Sequence, residues 1–331
     1  MLGYNKNMKI AINGFGRIGR VFYRQSFDHP DIEVVAINDL GDKDNLIYLL
    51  ERDSVYGKFK VPEKIHGARF LSERDPAKLP WKELGVDVVV EATGVFESYD
   101  KAKLHLDAGA KRVVITAPAK DEGETATFTP NVGIDAVTKS KITSNASCTT
   151  NAVAPILAVM MQSVGVKKAM LNTTHGYTAT QSLTDSPNKN FLRGRAAAVN
   201  IIPSSTGAAI ATAKAIPGMK GKFDGTALRV PVASGSIIDF VFVSEKPTTR
   251  DEINNILREA EKQPEWKGIL KTSDESLVST DILGEPYGSI ADLDLTRVVD
   301  GDLVKISAWY DNEWGYAAML IKHVEALKNF L

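Results

Sequence analysis

The run Gly14-Phe15-Gly16-Arg17-Ile18-Gly19 constrains the fold more than any other stretch of this chain. The pattern G-x-G-x-x-G says little alone; its flanks make it informative. It follows a short apolar strand, Lys9 to Asn13, and opens a segment with helical spacing, Arg17 to Phe27. Gly14 permits the tight turn, Gly16 lets backbone approach a pyrophosphate, and Gly19 allows close packing of helix on strand. The helix N-terminus then receives the phosphate anion. An acidic residue is expected about 20 positions later, at the end of the second strand. Asp39 stands there, directly after the β-branched run Ile32 to Asn38. Its carboxylate accepts hydrogen bonds from adenosine ribose hydroxyls and repels a 2′-phosphate, so the expected cofactor is NAD rather than NADP.

The rest of the first half repeats this alternation. Asp44 to Arg52 and Tyr99 to Ala108 read as helices, and Val86 to Glu91 and Arg112 to Thr116 as strands. Val86 to Glu91 is nearly continuous in apolar residues, as a buried parallel strand should be. The βαβ order predicts a Rossmann-type, doubly wound parallel sheet. Later segments change character. Lys168 to His175, Thr226 to Pro231, Ser236 to Ser244 and Leu303 to Tyr310 alternate like strands of an antiparallel or mixed sheet. Helical patterns cover Pro203 to Ala215, Arg250 to Lys262 and about Gly315 to Phe330. We therefore expect an α/β protein with a dinucleotide-binding domain at 1–147 and an α+β catalytic domain at 148–314. A chain of 331 residues accommodates two such domains.

The boundary falls beside the single cysteine, Cys148, in Ser144-Asn145-Ala146-Ser147-Cys148-Thr149-Thr150-Asn151. Small hydroxyl and amide neighbours argue against a core packing residue and leave room for a ligand. The apolar run Ala152 to Met161 reads as helix, with Pro155 in its first turn, where proline is tolerated. Cys148 would then stand at a helix N-terminus, where the dipole lowers a thiol pKa. Such a thiol needs a base. Of the five histidines, His29 and His66 lie in loop-like stretches, while His105 and His323 lie on helices, His105 on a surface one. These four read as surface or hydrogen-bonded structural residues. His175 ends a strand, a position equally open to a structural and a catalytic role. Arg193, Arg229 and the hydroxyl-rich entry Pro203 to Ala208 suit anions, although each alone also reads as a surface arginine or an ordinary cap. Together with a nicotinamide site and a thiol they suggest a phosphorylated substrate.

Composition removes other classes. The net charge of -1 supplies no global field for nucleic acid. No stretch approaches about 18 consecutive apolar residues, so no membrane span is expected. Residues 1–7 read as a short polar extension without a signal core, and a lone cysteine points to a reducing cytoplasm. No metal site is expected.

The chain resembles phosphorylating glyceraldehyde-3-phosphate dehydrogenases over nearly its whole length. The resemblance rests on Asn13 to Arg20, Glu91-Ala-Thr-Gly94, Ser144 to Asn151, His175-Gly-Tyr-Thr-Ala-Thr-Gln181, Arg195 to Ala198, Ile201 to Ala208, Arg229-Val-Pro231 and Trp309-Tyr-Asp-Asn-Glu-Trp-Gly-Tyr316. It implies that Cys148 attacks glyceraldehyde 3-phosphate, and that His175 acts as base and holds the thiolate in an ion pair. Inorganic phosphate then resolves the thioester to 1,3-bisphosphoglycerate. Thr178 and Arg229 match the site for the substrate's phosphate; Ser147, Thr149, Thr206 and Gly207, with Arg193 nearby, match that for the attacking phosphate. Asn312 would fix the nicotinamide carboxamide, and Phe15, Arg17, Ile18, Arg74, Thr93 and Thr116 would line the dinucleotide. The resemblance also implies a homotetramer, a loop from about Tyr177 to Asn200 near a neighbour's cofactor, and a last helix, 315–331, returning to the nucleotide domain.

Ala179 and Ser186-Pro187 depart from common bacterial forms, and a serine there loosens discrimination against NADP; Asp39-Leu40 opposes that. Three rival readings share part of this pattern. Erythrose-4-phosphate dehydrogenases usually carry Glu where this chain has Asp39. Semialdehyde dehydrogenases should lack the Thr178/Arg229 pair. A non-catalytic nucleotide- or RNA-binding or redox-sensing protein should have lost Cys148, His175 or the phosphate residues.

Overall fold

The computed structural model describes residues 7–61, 65, 67–121 and 124–331. His66 and most of the N-terminal extension fall outside them. The chain divides into two compact units. The first runs through Pro130 and adds Ile134–Ala146 and Leu320–Leu331; the second comprises Asn131–Gly133 and Ser147–Met319.

The first unit holds a seven-stranded sheet in the order Arg69–Leu71, Ile32–Asn38, Met8–Asn13, Val88–Glu91, Arg112–Ile115, Ile142–Ser144, Ala126–Thr127. Every neighbouring pair is parallel. Ile10, Ile12, Val88 and Val90 face one apolar layer, which includes Leu320 and Val324. Ala11, Val89 and Val113 face another, around Trp81 and Ala102. Both faces are covered, which is why these strands read as unbroken apolar runs. Chain order reverses between Met8–Asn13 and Val88–Glu91, so a crevice opens beyond Asn13 and Glu91.

The second unit has a mixed sheet in the order Ile202–Ser205, Phe223–Val230, Val166–Gly176, Ser236–Ser244, Leu303–Tyr310, Ser289–Val299, Leu270–Ser273. It is mostly antiparallel, with parallel pairs between Val166–Gly176 and Phe223–Val230 and between Leu270–Ser273 and Ser289–Val299. Strand Ser236–Ser244 alternates buried and half-buried positions along its length. The buried set packs on helices Cys148–Ser163, Ala208–Ala215 and Arg250–Lys262.

Two local expectations are corrected. Pro203 to Ser205 belong to a strand, and helix begins only at Ala208; Ser204 and Ser205 pair with Ala227 and Thr226, and this ladder outweighs the cap-like composition. Pro155 is not in a first turn. It is interior to helix Cys148–Ser163, where it removes the i+4 donor from the Asn151 carbonyl.

Candidate active site

In the first unit the glycine turn is built as its sequence demands. Gly14 has φ of 95°. A Cβ there would lie 2.7 Å from the Ala92 carbonyl carbon and the Thr93 nitrogen, so only glycine lets the two turns touch. At Gly19 a Cβ would collide with the Gly14 carbonyl oxygen. Gly16, the N-cap of helix Arg17–Ser26, has open space above it, and no side chain caps this helix end. A cavity of about 340 Å³ lies here, lined in part by Gly14, Gly16, Asp39, Arg74 and Thr93. Its open glycine face, uncapped helix N-terminus and carboxylate fit a dinucleotide.

The other expected dinucleotide residues take different places. Asp39 accepts from the Phe15 N–H at 2.6 Å and the Gly41 N–H at 2.8 Å, so it also ties the glycine turn to the second strand. The Phe15 ring is buried edge-on to Tyr23 and Phe70. Arg17 pairs with Asp53 at 2.5 Å, and Ile18 packs on the core. The Thr116 hydroxyl donates to the Glu91 carbonyl at 3.0 Å. Asn312 belongs to the second unit, where its Oδ1 accepts from Gly235 N–H and Ser236 Oγ–H at 3.0 and 2.9 Å. Its Nδ2 is the remaining donor of that amide.

In the second unit Ser147 caps helix Cys148–Ser163 by accepting from Thr150 N–H at 3.1 Å. Ala146 before it has φ of 54°, a left-handed conformation that costs a residue with a Cβ about 1–2 kcal/mol. Cys148 is the first helical residue and is half-buried. Its Sγ lies 3.3 Å from His175 Nε2. Parallel register sets Arg229 opposite His175. Arg229 Nη1 lies 2.5 Å from His175 Nδ1 and donates to the Gly176 carbonyl at 3.1 Å. That carbonyl is also 2.6 Å from Nδ1. Nδ1 can donate to Gly176 or accept from Arg229, but not both, so the guanidinium bears on the tautomer.

The helix-start argument for a low thiol pKa meets an opposing effect. Burial pushes the Cys148 thiol above its ordinary value; the charge of Arg229 and the Thr149 N–H pull the other way. His175 is nearly inaccessible, and burial, aided by Arg229, lowers it to about 3. Each shift, taken alone, disfavours the charged form of its own group. His105 is likewise no surface residue but fully buried, as is His323.

Tyr310, not singled out beforehand, joins the site. Its hydroxyl lies 2.9 Å from Thr149 Oγ1 and 2.7 Å from Thr173 Oγ1, and its ring stands edge-on to His175. Its signal was the terminal position of an alternating strand. Arg193 donates to Ser204 Oγ at 3.2 Å and to Thr180 Oγ1 at 3.4 Å, and its charge is felt at Arg229. Thr178 Oγ1 lies 2.9 Å from Thr180 Oγ1. Thr206 Oγ1 accepts from Ala208 N–H at 3.2 Å, and Gly207 is exposed with open space above it, at the start of helix Ala208–Ala215.

A doubly wound unit with an NAD-type cleft, and a second unit carrying a thiol, an imidazole and arginines, have the plan of a nicotinamide-dependent oxidoreductase. The family model described as glyceraldehyde 3-phosphate dehydrogenase, NAD binding domain, matches residues 8–99, and the one for the C-terminal domain of the same enzyme matches residues 147–312. The chain belongs to the glyceraldehyde-3-phosphate dehydrogenase family. It is 44% identical to the Streptomyces coelicolor glyceraldehyde-3-phosphate dehydrogenase over 324 residues, 95% of this chain and 96% of the relative. It is 46% identical to that of Mycobacterium avium and 44% to that of Geobacillus stearothermophilus, each over 95% of this chain and 96% of the relative. The cofactor is NAD. No described helix is long and apolar enough to cross a membrane.

Proposed function

We propose that the chain oxidises D-glyceraldehyde 3-phosphate, with NAD and inorganic phosphate, to 1,3-bisphosphoglycerate. The observation that carries this reading is the Cys148 Sγ–His175 Nε2 contact of 3.3 Å with Arg229 beside it. The substrate's phosphate draws Arg229, with Thr178, away from His175 Nδ1. Nδ1–H then donates to the Gly176 carbonyl, and Nε2 presents its lone pair to the thiol. Nε2 takes the thiol proton as Sγ bonds to the aldehyde carbon, and returns it to the new oxyanion, giving a hemithioacetal. The Cys148 backbone N–H, at the helix start, stabilises that oxyanion. Gly14, Gly16 and Asp39, and in the second unit Asn312, would hold NAD, which would supply the acceptor for the hydride leaving that carbon. His175 takes the hydroxyl proton in the same step, leaving a thioester on Cys148. Inorganic phosphate, held by Ser147, Thr149, Arg193, Thr206 and Gly207, attacks the carbonyl carbon. The C–S bond breaks, the acyl phosphate leaves, the phosphate's own proton passes to solvent, and Cys148 recovers its proton from His175.

The test is NADH formation from glyceraldehyde 3-phosphate with and without inorganic phosphate. Rapid turnover only with phosphate is expected. Equal rates without it, or a clear preference for erythrose 4-phosphate, overturn the reading. We also propose a homotetramer. Leu183, Phe191, Val199 and Ile201 are each more than two-thirds exposed, apolar surface that self-association would bury. Cytoplasm, which keeps a working thiol reduced, is the proposed compartment.

A further inference from the structure

His105 sits on helix Tyr99–Asp107 with no accessible surface. Its Nδ1 accepts from the Trp81 indole N–H at 3.0 Å. Indole only donates, so Nδ1 is unprotonated and the neutral ring carries its proton on Nε2. That proton points at Glu91 Oε2, 3.0 Å away. Glu91 is as deeply buried, and the same oxygen takes Asn13 Nδ2–H at 2.6 Å. Its other oxygen takes the Thr93 N–H at 2.8 Å and the Thr93 hydroxyl. Asn13 passes the chain on, accepting from Asn38 Nδ2 at 2.7 Å.

A well-packed apolar cluster would stabilise the interior as well as this buried carboxylate does, or better. What four donors on one carboxylate add is position. Asn13 precedes the glycine turn and Thr93 lies in the facing turn; both line the dinucleotide cavity. The two turns meet at Gly14, where not even a methyl group fits. Glu91 grips both of them, and His105, with its tautomer set by Trp81, holds Glu91.

We propose that His105 and Glu91 are positioning residues for NAD, fixing the gap between the glycine turn and the Thr93 turn. The proposal rests on the reading of this cavity as the NAD site. It concerns neither the thiol nor the phosphate residues.

The test uses full-length protein with His105→Leu, which keeps bulk but removes both ring nitrogens, and His105→Gln, whose amide N–H can still reach Glu91. NAD dissociation constants come from titration calorimetry, and KM and kcat from steady-state rates. His105→Leu should weaken NAD binding and raise its KM about tenfold, with kcat at saturating NAD within about twofold and the aldehyde KM unchanged. His105→Gln should recover most of the loss. In wild type, nitrogen NMR should show the Nε2–H tautomer of a neutral ring. Unchanged NAD affinity in His105→Leu, a parallel fall in kcat and affinity, absent rescue by Gln, or the opposite tautomer overturns the proposal. Failure of wild-type protein to bind NAD would instead overturn the assignment of the cavity.

Discussion

Replacing Arg229 by leucine tests how the protein makes the half-buried Cys148 reactive. Sγ to Nε2 is 3.3 Å and Nδ1 to Nη1 is 2.5 Å. Across an imidazole ring the guanidinium thus lies within roughly 8 Å of the sulfur, where a unit charge is worth about 2 kcal/mol at an effective dielectric near 20. Arg229 is half-buried, so solvent screening brings this to about 1–2 kcal/mol, or about one pH unit. The sign follows from charge: removing a cation disfavours thiolate, so the thiol pKa rises from a value that burial has already raised. A more basic thiolate is a better nucleophile, which offsets about half of the lost population. Alkylation of Cys148 by iodoacetamide at pH 7, without substrate, should slow about three- to tenfold, and its pH profile should move upward by about one unit. A neutral reagent keeps its own charge out of the comparison. Arg229→Lys, which retains the cation, should shift far less. A leucine profile that superimposes on wild type, or a lysine profile displaced equally, would refute the electrostatic argument.

His175→Asn should lower kcat by about 10²–10⁴, the usual value of a general base; steady-state rates at saturating substrate decide, and an unchanged kcat removes His175 from the chemistry. Asp39→Ala should improve NADP use by removing the repelling carboxylate. Since Asp39 also holds the Phe15 and Gly41 N–H groups, NAD binding should weaken in the same variant, as read by KM for each cofactor. His323, stacked on Phe128 and 2.8 Å from Thr143 Oγ1, is lowered by burial to about 3. The unfolded chain binds this proton near pH 6.5 and the native protein only near 3, so stability falls on acidification across that window. His323→Gln should reduce that pH dependence by up to about one proton, about 1.4 kcal/mol per pH unit, measured from denaturant midpoints and m-values between pH 4 and 6; identical slopes would refute it.

Local chemistry made much of this protein legible in one dimension. The glycines at 14 and 19, the strand before them and the acid at 39 recur at a fixed order and spacing, so the nucleotide fold could be read from order alone, although the turn that Gly14 must clear, Ala92 and Thr93, lies far along the chain. Continuous apolar runs marked strands covered on both faces, and Ser147 before a helical run marked the cap that places Cys148. Properties that depend on distant neighbours required the folded chain. Pro203 to Ser205 have the composition of a cap, but pairing with Thr226 to Leu228 makes them a strand. The helix start suggested an acidic thiol, yet burial acts more strongly on Cys148 than the charges that oppose it. His105 looked like a surface residue because its partners Trp81 and Glu91 come from other elements. Sequence determined which groups are present and which backbone each can adopt. Tertiary structure decided their solvation and partners, because a proton's affinity for sulfur or imidazole depends on what surrounds it in space.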